Sequence, residues 1–113
     1  MKTSSAKAKG RRLQQWVRDK IIETFNLSQE DVRSAIMGET GEDIKLSKRG
    51  LSVFPFIVEC KNQEGFTKVY NAYNQAVSHN KEALGTPLVV IKSNRKEPLA
   101  VLSFEDFIKI IKE

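Results

Sequence analysis

The 113-residue sequence holds one cysteine, Cys60, one histidine, His79, and one tryptophan, Trp16. A lone cysteine closes no internal disulfide, so the fold is expected to rest on a hydrophobic core in a reducing, intracellular setting. A lone histidine without a cysteine or histidine partner at ligand spacing leaves no zinc site, and no Ser-His-Asp arrangement can be assembled around it. No glycine-rich loop runs into Lys-Ser or Lys-Thr, which sets aside nucleotide-triphosphate hydrolysis and any nucleotide cofactor. No apolar run approaches the roughly 20 residues that cross a bilayer, and the N-terminus has no apolar signal core, so no membrane association is expected.

Acid is missing from one place in particular. The first twelve residues carry Lys2, Lys7, Lys9, Arg11 and Arg12 and no Asp or Glu. The remaining 14 basic residues balance the 14 acidic ones, so the whole net charge of +5 belongs to this head. A localised basic segment suits a polyanion, and a solubilising tail is the plain alternative. With 40% hydrophobic and 29% charged residues, the chain has the composition of an ordinary globular protein. Its length suits one domain. Residues 1–8 are expected to be a flexible basic arm and residues 9–113 a single domain.

Apolar spacing then organises the rest. Leu13, Trp16, Val17, Ile21 and Phe25 recur every three to four residues, which predicts a helix from Lys9 that ends at Asn26. Trp16 falls in that stripe and is expected in the core. Ser28 and Asp31 read as the capped start of a short helix to Met37, stopped by Gly38. A loop over 38–41 delivers Asp43 to a strand, and a turn at Lys48, Arg49 and Gly50 leads to a second strand over 54–61, interrupted by Pro55. A helix over 67–84 buries Val69, Ala72, Tyr73, Ala76 and Val77 and presents Gln75 on a polar face. The run Leu88-Val89-Val90-Ile91 predicts a strand buried on both faces, joined to the second strand by a right-handed βαβ crossover. Residues 93–98 make a polar turn with Arg95, 99–102 the returning strand, and Ser103 with Asp106 caps a last helix whose stripe is Phe104, Phe107, Ile108 and Ile111.

The chemistry concentrates between residues 41 and 62. Alternation along 54–61 puts Ile57, Glu59 and Lys61 on one face and Val58 and Cys60 on the other. A carboxylate inside an apolar strand is costly without a cation, so either Lys61 pairs with Glu59 or a metal sits there. If the hairpin folds back, Asp43 brings a second hard oxygen to Glu59. Two carboxylates and a lysine suit phosphodiester hydrolysis: a divalent cation on Asp43 and Glu59 activates water and neutralises phosphate, and Lys61 steadies the nucleophile or the developing charge. Magnesium fits hard oxygen ligands, and manganese can substitute. An acid-x-lysine triplet alone is weak evidence, and Asp43-Ile44-Lys45 is another.

The strings GEDI at 41–44 and FIVECKN at 56–62 together resemble the motif of PD-(D/E)XK nucleases, and the wider pattern is similar to small phage-type endonucleases related to Holliday junction resolvases. The resemblance covers the chain from Lys9 onward. It implies an α/β, restriction-endonuclease-like sandwich with a small mixed sheet flanked by helices. It also implies metal ligation by Asp43, Glu59 and the Cys60 carbonyl, with Asp43, Glu59 and Lys61 catalytic. DNA is the implied partner, contacted by Lys7, Lys9, Arg11, Arg12, Gln14, Asn62, Gln75 and Arg95, and a homodimer is expected; if phage-encoded, the protein acts in the host cytoplasm. Two departures stand out. Glu42 precedes the aspartate, either to assist the metal or to face solvent. Lys9-Gly10 is followed by Gln14 and Gln15, where resolvase-like relatives carry a glutamate. The alternative reading is a non-catalytic nucleic-acid-binding module in which Glu59 and Lys61 form a structural ion pair.

Overall fold

The computed structural model describes residues 2–113, with side chains from Ser5 onward; Met1, the first residue of the expected arm, lies outside the described residues. The chain is mixed α/β. It forms two compact units, residues 1–63 and 64–113, each built around one two-stranded antiparallel sheet. Among the described residues no helix is long and apolar enough to cross a membrane.

In the first unit, helix α1 spans Lys2–Phe25. It starts well before Lys9 because residues 6–9 alternate Ala and Lys, both good helix formers, so the basic head continues the helix. Asn26 ends it in the left-handed region at φ 55, and the Leu27 N–H reaches back to the Ile22 carbonyl at 3.0 Å. Val17 and Ile21, one turn apart, are the buried centre of the stripe. Trp16 lies at the edge of that stripe and is 45% exposed, with the Lys20 ammonium 5.8 Å from its ring, which corrects the expectation of a core tryptophan.

The short helix expected over 28–37 does not form. Asp31 accepts from both the backbone N–H and the hydroxyl of Ser28, closing a turn, and the chain leaves it as strand β1, Val32–Ser34. The same Ser and Asp that can cap a helix here make a local turn instead. Strand β1 pairs antiparallel with β2, Ile44–Leu46, in the register Val32 to Leu46 and Ser34 to Ile44, and Val32 and Ile44 are fully buried.

After β2 comes a second helix, α2, Lys48–Val53, where a tight turn was expected. Ser47 caps it by accepting from the Gly50 N–H at 3.0 Å while donating to Asp31 Oδ1 at 2.8 Å. That hydrogen bond, first among the causes, holds the Asp31 carboxyl below its ordinary range. Gly50 is buried, and a Cβ there would stand 2.7 Å from the Asp31 carbonyl oxygen, so the close approach needs glycine. Phe54 closes the unit from the far end of α2, its ring 5.6 Å from Phe25 and 4.9 Å from Phe56.

The second unit begins with a 3₁₀ turn, Glu64–Phe66, and helix α3, Thr67–His79. The helix stops short of residue 84 because Asn80 turns the chain, exchanging two hydrogen bonds with the backbone of Gly85, and Ala83 takes φ 52. Strands β3, Val89–Ile91, and β4, Leu99–Val101, pair antiparallel across a turn in which Arg95 has φ 62. Helix α4, Phe104–Lys112, is capped by Ser103, whose hydroxyl accepts from the Asp106 N–H at 3.0 Å, as its sequence predicts. Residues 54–61 form no strand, so the expected parallel crossover into β3 is absent among the described residues. Pro55 offers no N–H to a ladder, and residues 57–61 find only one partner, Asp43.

Candidate functional site

Asp43 stands just before β2, at the end of a loop that Glu39 organises. Both terminal guanidinium nitrogens of Arg33 on β1 donate to Glu39, at 3.0 and 2.7 Å, and the Ile36 N–H donates to it at 3.0 Å. Together these bonds depress the Glu39 carboxyl to about 2, the Arg33 hydrogen bonds contributing most. Gly38 at φ 84 and Gly41 at φ 92 let the chain return. The Ala35 N–H then meets the Asp43 carbonyl at 2.8 Å.

Asp43 reaches across to the segment that follows α2 by two bonds. Its N–H donates to the Val58 carbonyl at 3.0 Å, and its Oδ2 accepts from the Cys60 N–H at 2.8 Å. Glu59 sits between those two contacts. Burial first, then the charges of Asp43 and Glu59, push the Cys60 thiol up to about 11. Asp43 is thus held against the two neighbours of Glu59, by a connection through α2, while the Glu59 side chain is exposed.

The predicted alternation also holds, but its polarity is reversed. Phe54 is buried and Phe56, Val58 and Cys60 are half-buried, whereas Ile57, Glu59 and Lys61 face solvent. Glu59 therefore has no buried charge to neutralise, and among the described residues no ion pair joins it to Lys61. Glu42 pairs instead with Lys45, 3.6 Å away.

Asp43 opens into a groove of about 460 Å³ whose other wall is formed by Lys7, Arg11, Gln14 and Gln15 of α1. Three of the expected nucleic-acid contacts, Lys7, Arg11 and Gln14, thus share a cavity with a candidate metal ligand. Lys9 and Arg12 are exposed elsewhere on α1, and Asn62 is exposed beyond Lys61. Gln75, exposed on α3, and Arg95, in the β3–β4 turn, belong to the second unit. Protein-family models, curated proteins and solved structures were all compared with the chain, and none matches.

As a metal site the donor set is spare. Among the described residues no group of three or more His, Cys, Asp and Glu side chains is placed to hold an ion. The oxygens of Asp43 and Glu59 are of the hard type that magnesium takes, and magnesium keeps several waters and draws further oxygens from a phosphate substrate. His79 is exposed and lines a cavity of the second unit that holds no other imidazole and no thiol. Sequence reasoning overlooked Glu39 and Arg33. Their signal was an acid and an arginine flanking a glycine-bearing loop, six residues apart.

Proposed function

We propose that the chain is a magnesium-dependent endodeoxyribonuclease of the PD-(D/E)XK type, and that its α/β elements are those of a restriction-endonuclease-like sandwich. The observation that carries this reading is the pair of hydrogen bonds that fix Asp43 against Val58 and Cys60, the residues on either side of Glu59. One Asp43 oxygen is engaged by the Cys60 N–H, and Asp43 and Glu59 are the residues that would hold a cation. When bound, magnesium would neutralise phosphate charge and make a water more acidic. Lys61, exposed two residues on, is free to swing its ammonium toward the attacking oxygen or the charge that builds on phosphorus. Lys7 and Arg11 hold neighbouring phosphates along the groove, and Gln14 donates a hydrogen bond there.

Glu59→Gln and Asp43→Asn are each expected to abolish magnesium-dependent cleavage while leaving the fold and most DNA affinity in place. Cleavage by either variant near the native rate sinks the metal site. Lys61→Arg keeps the charge but loses the compact ammonium, so single-turnover cleavage should fall by orders of magnitude in both Lys61→Arg and Lys61→Ala, with DNA still bound.

A second reading, a nucleic-acid-binding module without catalysis, is favoured by Gln14 and Gln15, which line the groove where a third acid would strengthen a metal site. Calorimetry with magnesium decides: binding lost in Asp43→Asn supports the nuclease, and no binding in the native protein supports the module.

A further inference from the structure

The loop between β1 and β2 shows two large apolar side chains to solvent, Ile36 at 70% and Met37 at 79% exposed. A mobile loop would explain this cheaply, but this loop is braced. The Ile36 N–H and the Glu39 N–H each bond across the turn, to the Glu39 carboxylate and the Ile36 carbonyl, and Arg33 clamps that carboxylate from β1 with two bonds. The backbone that carries Ile36 and Met37 is held so that both project outward. Both also line the groove of Lys7, Arg11 and Asp43.

The groove sets Lys7 and Arg11 beside Asp43 and beside Glu39, whose charge Arg33 already meets, and an apolar pair held rigidly at the lip of such a groove is chemically matched to one class of ligand. A polyanion with apolar faces brings phosphates to the cations and offers the flat surface of a base to the apolar tip. In a continuous duplex those surfaces are stacked away, and opening a step is unfavourable. At a nick the step is already loosened, and Ile and Met are among the side chains that wedge between bases. We propose that Ile36 and Met37 form a wedge that enters an unstacked base step, so that the groove prefers nicked duplex DNA over continuous duplex. The inference rests on the reading of the groove as a nucleic-acid site and adds to it the part of the surface that selects the substrate.

The wedge requires no catalysis, so its test is run without magnesium on the full chain. Two duplexes of the same sequence are used, one continuous and one nicked, each with a fluorescent purine analogue beside the nick position. The native protein is expected to bind the nicked duplex about tenfold more tightly and to brighten the analogue there as it unstacks. Ile36→Ser/Met37→Ser should bind both duplexes alike, with continuous-duplex affinity unchanged within about threefold, because Lys7 and Arg11 remain. Melting of the variant at the native temperature keeps the comparison valid, and Met37→Ser alone, with an intermediate preference, serves if the double variant is unstable. Binding without nick preference, or a preference that survives in the variants, overturns the wedge and leaves the nuclease reading standing. No binding to either duplex overturns both.

Discussion

Among the described residues, Val17, Ile21, Leu27, Val32, Ile44 and Phe54 are buried in residues 1–63, whereas Ile108 alone is buried in residues 64–113. The second unit instead shows Leu84 at 85% and Val90 at 65% exposure. Both units carry amphipathic helices and a small hairpin, so the difference is not one of element type. In the first, α1 lies on β1 and Phe54 plugs the end, so each apolar face meets another. In the second, α3 has no buried residue and the two-faced apolar run of β3 leaves Val90 open. Periodicity names the face a helix or strand is able to bury, but burial needs a second layer opposite it. The candidate catalytic acids hang from the unit that has its interior closed, which is where fixed geometry can be maintained.

The sharpest way to break this contrast is to truncate one side chain of each kind. Phe54→Ala should destabilise the protein by about 3–5 kcal/mol and Ile44→Ala by about 2–5 kcal/mol, since both are fully buried and leave cavities. Val90→Ala should stay within about 0.5 kcal/mol of native, as for other exposed positions. Chemical denaturation of the three variants checks this, and a Val90→Ala cost equal to that of Phe54→Ala would erase the distinction between the units.

Two glycines of the first unit sharpen it further. Gly50→Ala sets a methyl 2.7 Å from a backbone oxygen and should cost about 1–3 kcal/mol, because α2 must shift off the Asp31 turn. Gly10→Ala meets no atom within 4 Å inside α1 and should instead add about 0.5–1 kcal/mol by removing chain entropy from the unfolded state. Opposite signs in thermal melting are the expected outcome; a melting temperature raised by Gly50→Ala would mean that Gly50 is not at a close approach.

The smallest effect is a titration. The Cys60 thiol is raised by burial and then by two carboxylates, so the folded protein holds its proton to about pH 11 against 9.0 for a free thiol. A raised folded value contributes stability that is complete below pH 9.0 and is lost as pH rises toward 11. Native alkylation by iodoacetamide should therefore stay slow at pH 9, and Asp43→Asn should bring its onset to lower pH. An onset identical in the variant would separate Asp43 from Cys60 and undo the site.

The sequence revealed those parts whose causes are local. Ser103 with Asp106, and the stripe of Phe104, Phe107 and Ile108, specify α4 from neighbours alone, and Asn26 ends α1 in the conformation that suits it. What was illegible depends on partners far along the chain. Ser28 and Asp31 look like a helix start, and only Ser47, sixteen residues from Asp31, draws the aspartate elsewhere. Lys48-Arg49-Gly50 looks like a turn until Ser47 caps it and Gly50 is pressed to the Asp31 carbonyl. At the site, the alternation of residues 54–61 could be read, but which face met solvent was set by Phe54, whose ring contacts Phe25 on a different element. That Asp43 comes to the segment 58–60 was legible, though its route through a helix was not.

The two bonds of Asp43 close a ring of chain, since the residue grips positions 58 and 60 while α2 fills the span between. A ring with a rigid span transmits a disturbance made anywhere along it. Phe54 lies in that span, fully buried, with its N–H bonded to the Gly50 carbonyl at 2.7 Å. Whatever loosens the interior at Phe54 therefore also loosens the segment that Asp43 grips, so the solidity of the core and the aim of one carboxylate are a single property of the chain.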